Sequence, residues 1–274
     1  MGKTEIKVIQ LALTVSRKEY LTPHYIRVYL TGDGVDQIAN TTVGVNNKIL
    51  IPPKHVDRIY FPEFDYERGQ WKPMDEAIRP TVRTYTHRGI NLDRNEVWID
   101  FVAHGDEGPA SAWAMAAKPG DVLGILMKAG KTSLYEVAAN YLLVGDATAI
   151  PVLGAILEDL PPSAKGICMI EVHGSEDIQQ LKTKAAIDFI WLHNDTPQEG
   201  SLLADLVKIR SLPVEDKFAY VAAEFSTVKE IRNYLRQDLG WGREELYAYS
   251  YWKAGVAEDK SATDRRSESE EIQA

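Results

Sequence analysis

The segment Arg83-Thr84-Tyr85-Thr86, followed downstream by His104-Gly105-Asp106-Glu107-Gly108-Pro109-Ala110-Ser111-Ala112-Trp113, decides how this chain is read. An arginine neutralises a pyrophosphate, a tyrosine two residues on lies against a flat ring, and the adjoining threonine hydroxyl reaches a ring nitrogen. Side chains of an extended segment alternate, so Arg83 and Tyr85 point to one side and Thr86 to the other unless the strand ends there. Gly108-Pro109-Ala110-Ser111 then offers backbone N–H groups at a predicted helix start, a seat for phosphate. Arg-x-Tyr-Thr alone is common on ordinary strand edges. With the second segment behind it, the pair reads as a flavin cradle.

Around this pair, residues 6–127 carry short strand-like runs. Ile26-Arg27-Val28-Tyr29-Leu30 alternates, Lys48-Ile49-Leu50-Ile51 is apolar after its lysine, and Val97-Trp98-Ile99-Asp100-Phe101-Val102 is rich in β-formers. Turn residues separate them: Thr31-Gly32-Asp33-Gly34, Glu67-Arg68-Gly69-Gln70 and Lys118-Pro119-Gly120-Asp121. Such punctuation predicts a closed antiparallel barrel, which removes exposed sheet edges. One helix, from Ser111 to Lys118, interrupts it and stops at Pro119-Gly120.

From Tyr141 the pattern changes to strand, helix, strand. Leu142-Leu143-Val144, Ile167 to Val172, Phe189-Ile190-Trp191-Leu192 and Phe218-Ala219-Tyr220-Val221-Ala222 read as buried strands, with helices over 150–160, 202–210 and 226–238. This alternation predicts a parallel sheet that binds ligands at the carboxyl ends of its strands. Gly145-Asp146-Ala147-Thr148-Ala149-Ile150-Pro151 sits at one such end: its glycine permits close backbone approach, and Thr148 brings a hydroxyl to the helix start. It is not a Gly-x-Gly-x-x-Gly fingerprint, and a plain strand-to-helix turn remains the alternative reading.

Composition narrows the field further. The 274 residues suffice for two modest domains, and 45% hydrophobic with 26% charged residues is ordinary for a globular chain. The net charge of −9 argues against a nucleic-acid partner. No run of about 20 apolar residues predicts a membrane span, and the start lacks a secretory signal core, which predicts a cytoplasmic location. Cys168, the single cysteine, lies in the apolar run Gly166 to Ile170 and reads as a small buried hydrophobe. The six histidines show no metal-ligand spacing, so no protein-bound metal is predicted. His87, directly after Thr86, is a candidate flavin sensor. The polar segment 257–274 reads as a tail or short helix.

These segments together resemble the siderophore-interacting proteins, the FAD-containing ferric-siderophore reductases of the ferredoxin-NADP reductase superfamily. Asn47-Lys48-Ile49-Leu50-Ile51-Pro52 is similar to that family's early strand, 142–151 to its second-domain opening, and Tyr220-Val221-Ala222-Ala223-Glu224 and Tyr249-Ser250-Tyr251-Trp252-Lys253-Ala254-Gly255 to its closing segments. The resemblance implies an antiparallel six-stranded FAD-binding barrel over 1–135 and a Rossmann-like parallel α/β nucleotide-binding domain over 136–256.

It also implies roles. Arg83 would bind the FAD phosphates, Tyr85 would stack near the ring or ribitol, and Thr86 would bond near N5, making Tyr85 and Thr86 the catalytic candidates. His104, Asp106, Gly108, Pro109, Ala110, Ser111 and Trp113 would hold the pyrophosphate and adenine side. Asp146, Thr148 and Ala149 would face a pyridine nucleotide, and Trp252 would cover the flavin unless it packs the core. Lys48, Lys128, Lys253 and Arg79 would attract an anionic ferric siderophore. Glu224 stands where plant-type reductases carry Cys-Gly, either near the redox centre or as a helix-start carboxylate. Electrons would come from NADH or NADPH, or from a ferredoxin. The acidic run His173-Gly174-Ser175-Glu176-Asp177 favours NADH. Two rivals remain: a general flavin reductase serving a protein acceptor, and a flavoprotein that carries ferric chelates without turnover.

Overall fold

Ile9, Leu11, Leu13 and Val15 are buried while Val8, Gln10, Ala12 and Thr14 are exposed. This period of two makes β1 (Val8–Thr22) a strand with one face in a core. The computed structural model describes residues 7–65, 67–106 and 108–256, so the expectation for 257–274 lies outside the described residues. The chain divides into two compact units between Thr132 and Ser133.

In the first unit β1 is followed by β2 (Tyr25–Thr31), β3 (Asn46–Ile51), the two-residue arms β4 (Phe64–Asp65) and β5 (Gln70–Trp71), β6 (Thr81–Thr86), β7 (Gly89–Asn91) and β8 (Glu96–Val102). Helix α1 (Pro109–Ala116) and β9 (Val122–Lys128) complete it. Seven of these strands form one antiparallel sheet in the order β6-β3-β9-β1-β2-β8-β7. The antiparallel character is as predicted. The detail differs from a closed six-stranded barrel: the ladder is a curled sheet that runs open from β6 to β7, and the seventh strand is the three-residue β7 folded back on β8. Register shifts at Val15/Arg17 and Tyr20/Thr22 in β1 supply bending, because each extra residue kinks its strand.

Leu13, Ile26, Val28, Leu30, Ile49, Ile99 and Leu123 are fully buried on the inner face. Each such side chain contributes about 1.5–3 kcal/mol by leaving water. One ion pair lies across β2 and β8, where Arg27 Nε and NH2 donate to the two oxygens of Asp100 at 2.7 and 2.8 Å. Helix α1 begins at Pro109, two residues before the predicted start, because proline fits the first helical position.

The second unit runs β10 (Asn140–Asp146), α2 (Ile150–Asp159), β11 (Lys165–Val172), β12 (Ala186–His193), α3 (Leu203–Lys208), β13 (Lys217–Glu224), α4 (Phe225–Asn233) and β14 (Leu246–Trp252). Its five strands are all parallel, in the order β12-β11-β10-β13-β14. β10 is central and buried through Tyr141 to Asp146, the continuous apolar signature of a strand covered on both faces. Two details depart from the sequence reading: helix α3 is shorter than 202–210, and α4 gives way after Asn233 to a wider turn over Tyr234–Asp238 that keeps Leu235 buried. Cys168 is wholly buried in β11, and burial pushes its thiol far up. Among the described residues no helix is long and apolar enough to cross a membrane.

Candidate functional site

β6 ends at Thr86, and its pairing with β3 sets which side chains share a face. Tyr85 stands opposite Asn47 and Arg83 opposite Ile49, so these four lie together, on the face that carries the core. Thr84 and Lys48 take the other face, where the lysine ammonium donates to the threonine hydroxyl. Thr86 follows Thr84 by alternation and is buried. Arg83 is half-buried, and NH1 donates to the Val82 carbonyl at 2.8 Å.

Tyr85 begins a row of rings. Its centroid is 4.6 Å from that of Phe101, which lies 5.7 Å from Trp113 on α1. Both partners of Phe101 are partly exposed, so the row, its rings tilted at 38° and 45°, keeps some aromatic surface available to a ligand. Beside it, Asn47 is 3% exposed and its Oδ1 has no hydrogen-bond partner. An orphaned buried acceptor costs about 1–3 kcal/mol, which a ligand N–H would recover.

His104, Gly105 and Asp106 are exposed ahead of α1. Gly108 is the N-cap of α1, and a Cβ there would stand 2.6 Å from the His104 ring, so only glycine lets that ring fold over the helix entry. Ser111 does not present its hydroxyl outward. It accepts from the His104 N–H at 3.0 Å and donates to the Gly105 carbonyl at 2.7 Å, and thereby shapes the loop. The first N–H groups of a helix lack internal acceptors, and Pro109 has none to offer, so Ala110 and Ser111 provide the donors at this start.

Of the basic candidates, Lys48 lies opposite Leu126 of β9, and Lys128, two residues on, projects from the same face. Arg79 belongs instead to the exposed loop before β6, with NH2 on the Met74 carbonyl at 2.7 Å. An open groove of about 670 Å³ occurs in this region, lined by His55, Val56, Asp57, Arg58, Tyr60 and Ile78. Lys253 belongs to the second unit, where its ammonium lies 4.8 Å from the centre of the Phe225 ring.

Asp146, Thr148 and Trp252 do converge in the second unit, but on one another. Asp146 Oδ1 accepts from the Thr148 N–H and hydroxyl at 2.9 and 2.5 Å, and Oδ2 accepts from Trp252 Nε1 at 2.7 Å. Ala149 is fully buried. Burial pushes the Asp146 carboxyl up, against the pull of these donors. Gly145 has no room for a side chain: a Cβ would lie 2.5 Å from that of Ala149 and 2.8 Å from the Ala222 carbonyl. At the next strand end Glu224 caps α4, with Oε2 accepting from the N–H and hydroxyl of Ser226 and from the Thr227 N–H, and Oε1 from the Ala254 N–H at 3.2 Å. Of its two sequence readings, the structure shows the helix-start carboxylate.

Glu171, at the end of β11, accepts from Asn194 and Ser201, and burial pushes it up as well. The Thr148 N–H and hydroxyl thus already have an acceptor in Asp146, and the Ser226 and Thr227 N–H groups have one in Glu224.

Sequence reading missed Asn47, Glu171 and the state of His87. Each had a signal: Asn47 is polar at a position whose neighbours of like parity are Ile49 and Ile51, and Glu171 interrupts an apolar run. His87 is 2% exposed with Nε2 unpartnered, and burial, with Lys131 and Arg88 nearby, lowers it to about 4.

Residues 14–132 match the siderophore-interacting FAD-binding domain family, and residues 138–255 match the siderophore-interacting protein family. The ferric vibriobactin reductase ViuB of Vibrio cholerae is 32% identical over 92% of this chain and 93% of its own. Among solved structures, the siderophore-interacting protein SipS from Aeromonas hydrophila aligns with a TM-score of 0.80 at 29% identity, covering 95% of this chain and 98% of SipS. A siderophore utilization protein from T. fusca aligns with a TM-score of 0.81 at 27% identity, over 92% and 96% respectively.

Proposed function

Since the chain belongs to the siderophore-interacting protein family, we propose that it is an FAD-dependent reductase of ferric siderophores that releases Fe(II) in the cytoplasm. The observation that carries this reading is the Tyr85–Phe101–Trp113 row beside the unanswered Asn47 acceptor and the open start of α1, all within the unit that matches an FAD-binding domain. These residues fit a flavin dinucleotide. Bound FAD supplies acceptance of an electron pair and delivery of single electrons to iron.

The chain's own residues bind and orient. Tyr85 and Trp113 offer ring faces, Asn47 Oδ1 takes a ring N–H, and Thr86 at the strand end is the hydroxyl proposed near N5. Arg83 neutralises phosphate charge, aided by the Ala110 and Ser111 N–H groups. His104 and Asp106 flank this seat, while Ser111, through its hydroxyl, holds the loop in shape. Ferric iron in a siderophore is held by hard oxygen ligands, and reduction weakens that hold. Lys48 and Lys128 on one sheet face, with Lys253 and Arg79, supply positive charge for an anionic chelate on a chain of net charge −9.

NADH, NADPH and a ferredoxin are the proposed donors. The test starts from purified protein incubated with FAD and reduced anaerobically with dithionite. Addition of a ferric catecholate or hydroxamate siderophore is expected to restore the yellow colour and yield Fe(II) trapped by a ferrous indicator. A protein that takes no flavin refutes the reading. Tight chelate binding without Fe(II) selects the carrier instead. Repeating the reduction with NADH, NADPH and reduced ferredoxin identifies the donor.

A further inference from the structure

Asp146 and Glu224, each 7% exposed, end the neighbouring strands β10 and β13. A helix start needs only one acceptor, and an uncharged Ser or Asn provides it without the desolvation of a carboxylate. What a carboxylate adds is a second oxygen. In both residues that oxygen reaches the same piece of chain, the last turn of β14: Asp146 Oδ2 holds Trp252 Nε1 at 2.7 Å, and Glu224 Oε1 holds the Ala254 N–H at 3.2 Å. Lys253 lies between these two anchors, its ammonium over the Phe225 ring at the start of α4. β14 is an edge strand, and its register against β13 slips between Ala223 and Glu224, where the anchors take hold. An edge-strand end without such ties frays.

We infer that Asp146 and Glu224 are positioning residues of the reductase, a two-carboxylate clamp that fixes the Trp252 ring and the Lys253 ammonium for reaction with the ferric chelate. This rests on the function proposed above, in which Lys253 attracts the chelate. The clamp accounts for the carboxylates at both strand ends, which a phosphate seat leaves unexplained.

The test is a double-mutant cycle on the FAD-loaded protein. Asp146→Asn keeps one oxygen for the Thr148 cap but turns an amide N–H toward Trp252, so the fold stays and the tie is lost. Trp252→Phe keeps a ring and removes the donor. In ¹⁵N spectra the Trp252 indole resonance, assigned by its loss in Trp252→Phe, is expected to move in Asp146→Asn. With a ferric catecholate siderophore, each single variant is expected to raise KM or slow reoxidation of reduced flavin by about tenfold, within the range of a charge-assisted hydrogen bond. The double variant is expected to be no worse than either, and Glu224→Gln to act in the same direction through Ala254.

Rates of Asp146→Asn within twofold of wild type, or losses that multiply in the double variant, overturn the inference while the parent reading stands. A wild-type protein that binds FAD yet reduces no chelate overturns the parent reading, and the clamp's catalytic role with it.

Discussion

Replacing Glu224 by alanine removes four acceptor contacts at once. The Ser226 and Thr227 N–H groups lose the cap of α4, the Ser226 hydroxyl loses its acceptor, and the Ala254 N–H loses its anchor. Loss of a helix cap costs about 1 kcal/mol, and loss of a bond to a charged acceptor about 1.5–3 kcal/mol. Relief of a buried charge offsets part of this, but of the donors left behind Thr227 is buried and Ala254 half-buried, with only Ser226 exposed. The net expectation is about 3 kcal/mol, which for a unit of this size lowers Tm by about 6–12 °C. Differential scanning calorimetry of the whole protein reads it, and the conservative Glu224→Gln, which retains one oxygen, is expected to lose less than half as much. A Glu224→Ala protein melting within about 1 °C of wild type would refute the assignment of these bonds.

His87 is held neutral by burial, with a pKa lowered from 6.5 to about 4. A base depressed in the folded state contributes stability that is complete above about 6.5 and lost as pH falls through about 4, here roughly 3 kcal/mol; urea melts from pH 7 to 4 are expected to show that acid limb in wild type and a flatter one in His87→Leu. Arg27→Ala leaves Asp100, 4% exposed, without its ion-pair partner, and is expected to destabilise the first unit by about 3–5 kcal/mol in denaturant titration, whereas the double variant Arg27→Met with Asp100→Leu recovers most of the loss. Tyr85→Ala removes one end of the ring row; equilibrium dialysis is expected to show FAD bound at least tenfold more weakly, with the melting curve of the flavin-free protein changed far less.

The architecture was legible wherever one periodicity ran without competition. The alternation in Ile26 to Leu30 gave β2, and the continuous apolar run at Leu142 to Val144 gave β10 in the centre of a parallel sheet. The open ladder was not legible, because closure depends on whether the outer strands pair, and β6 and β7 owe their places to pairing with β3 and β8 that no local pattern encodes. The Arg83–Tyr85 parity followed from strand alternation alone. Hydrogen-bond partners did not follow. Asp146 and Thr148 are two residues apart and read as groups presented to a ligand, yet they bond to each other and, through Asp146, to Trp252 at the far end of the unit. A side chain's local sequence states which bonds it can make, and only the tertiary arrangement states which are already made.

The first and last long strands of the first unit, β1 and β9, are sheet neighbours, with Val8 opposite Lys128. During synthesis β1 therefore leaves the ribosome with its apolar stripe of Ile9, Leu11, Leu13 and Val15 and waits for a partner more than a hundred residues away. At about 5–20 residues per second that wait lasts roughly 6–25 s. Over this interval β2 pairs with β1 only from Thr14 onward, so Ile9, Leu11 and Leu13 are left without their sheet neighbour, and nascent chains that stop before β9 are expected to be the ones that engage chaperones.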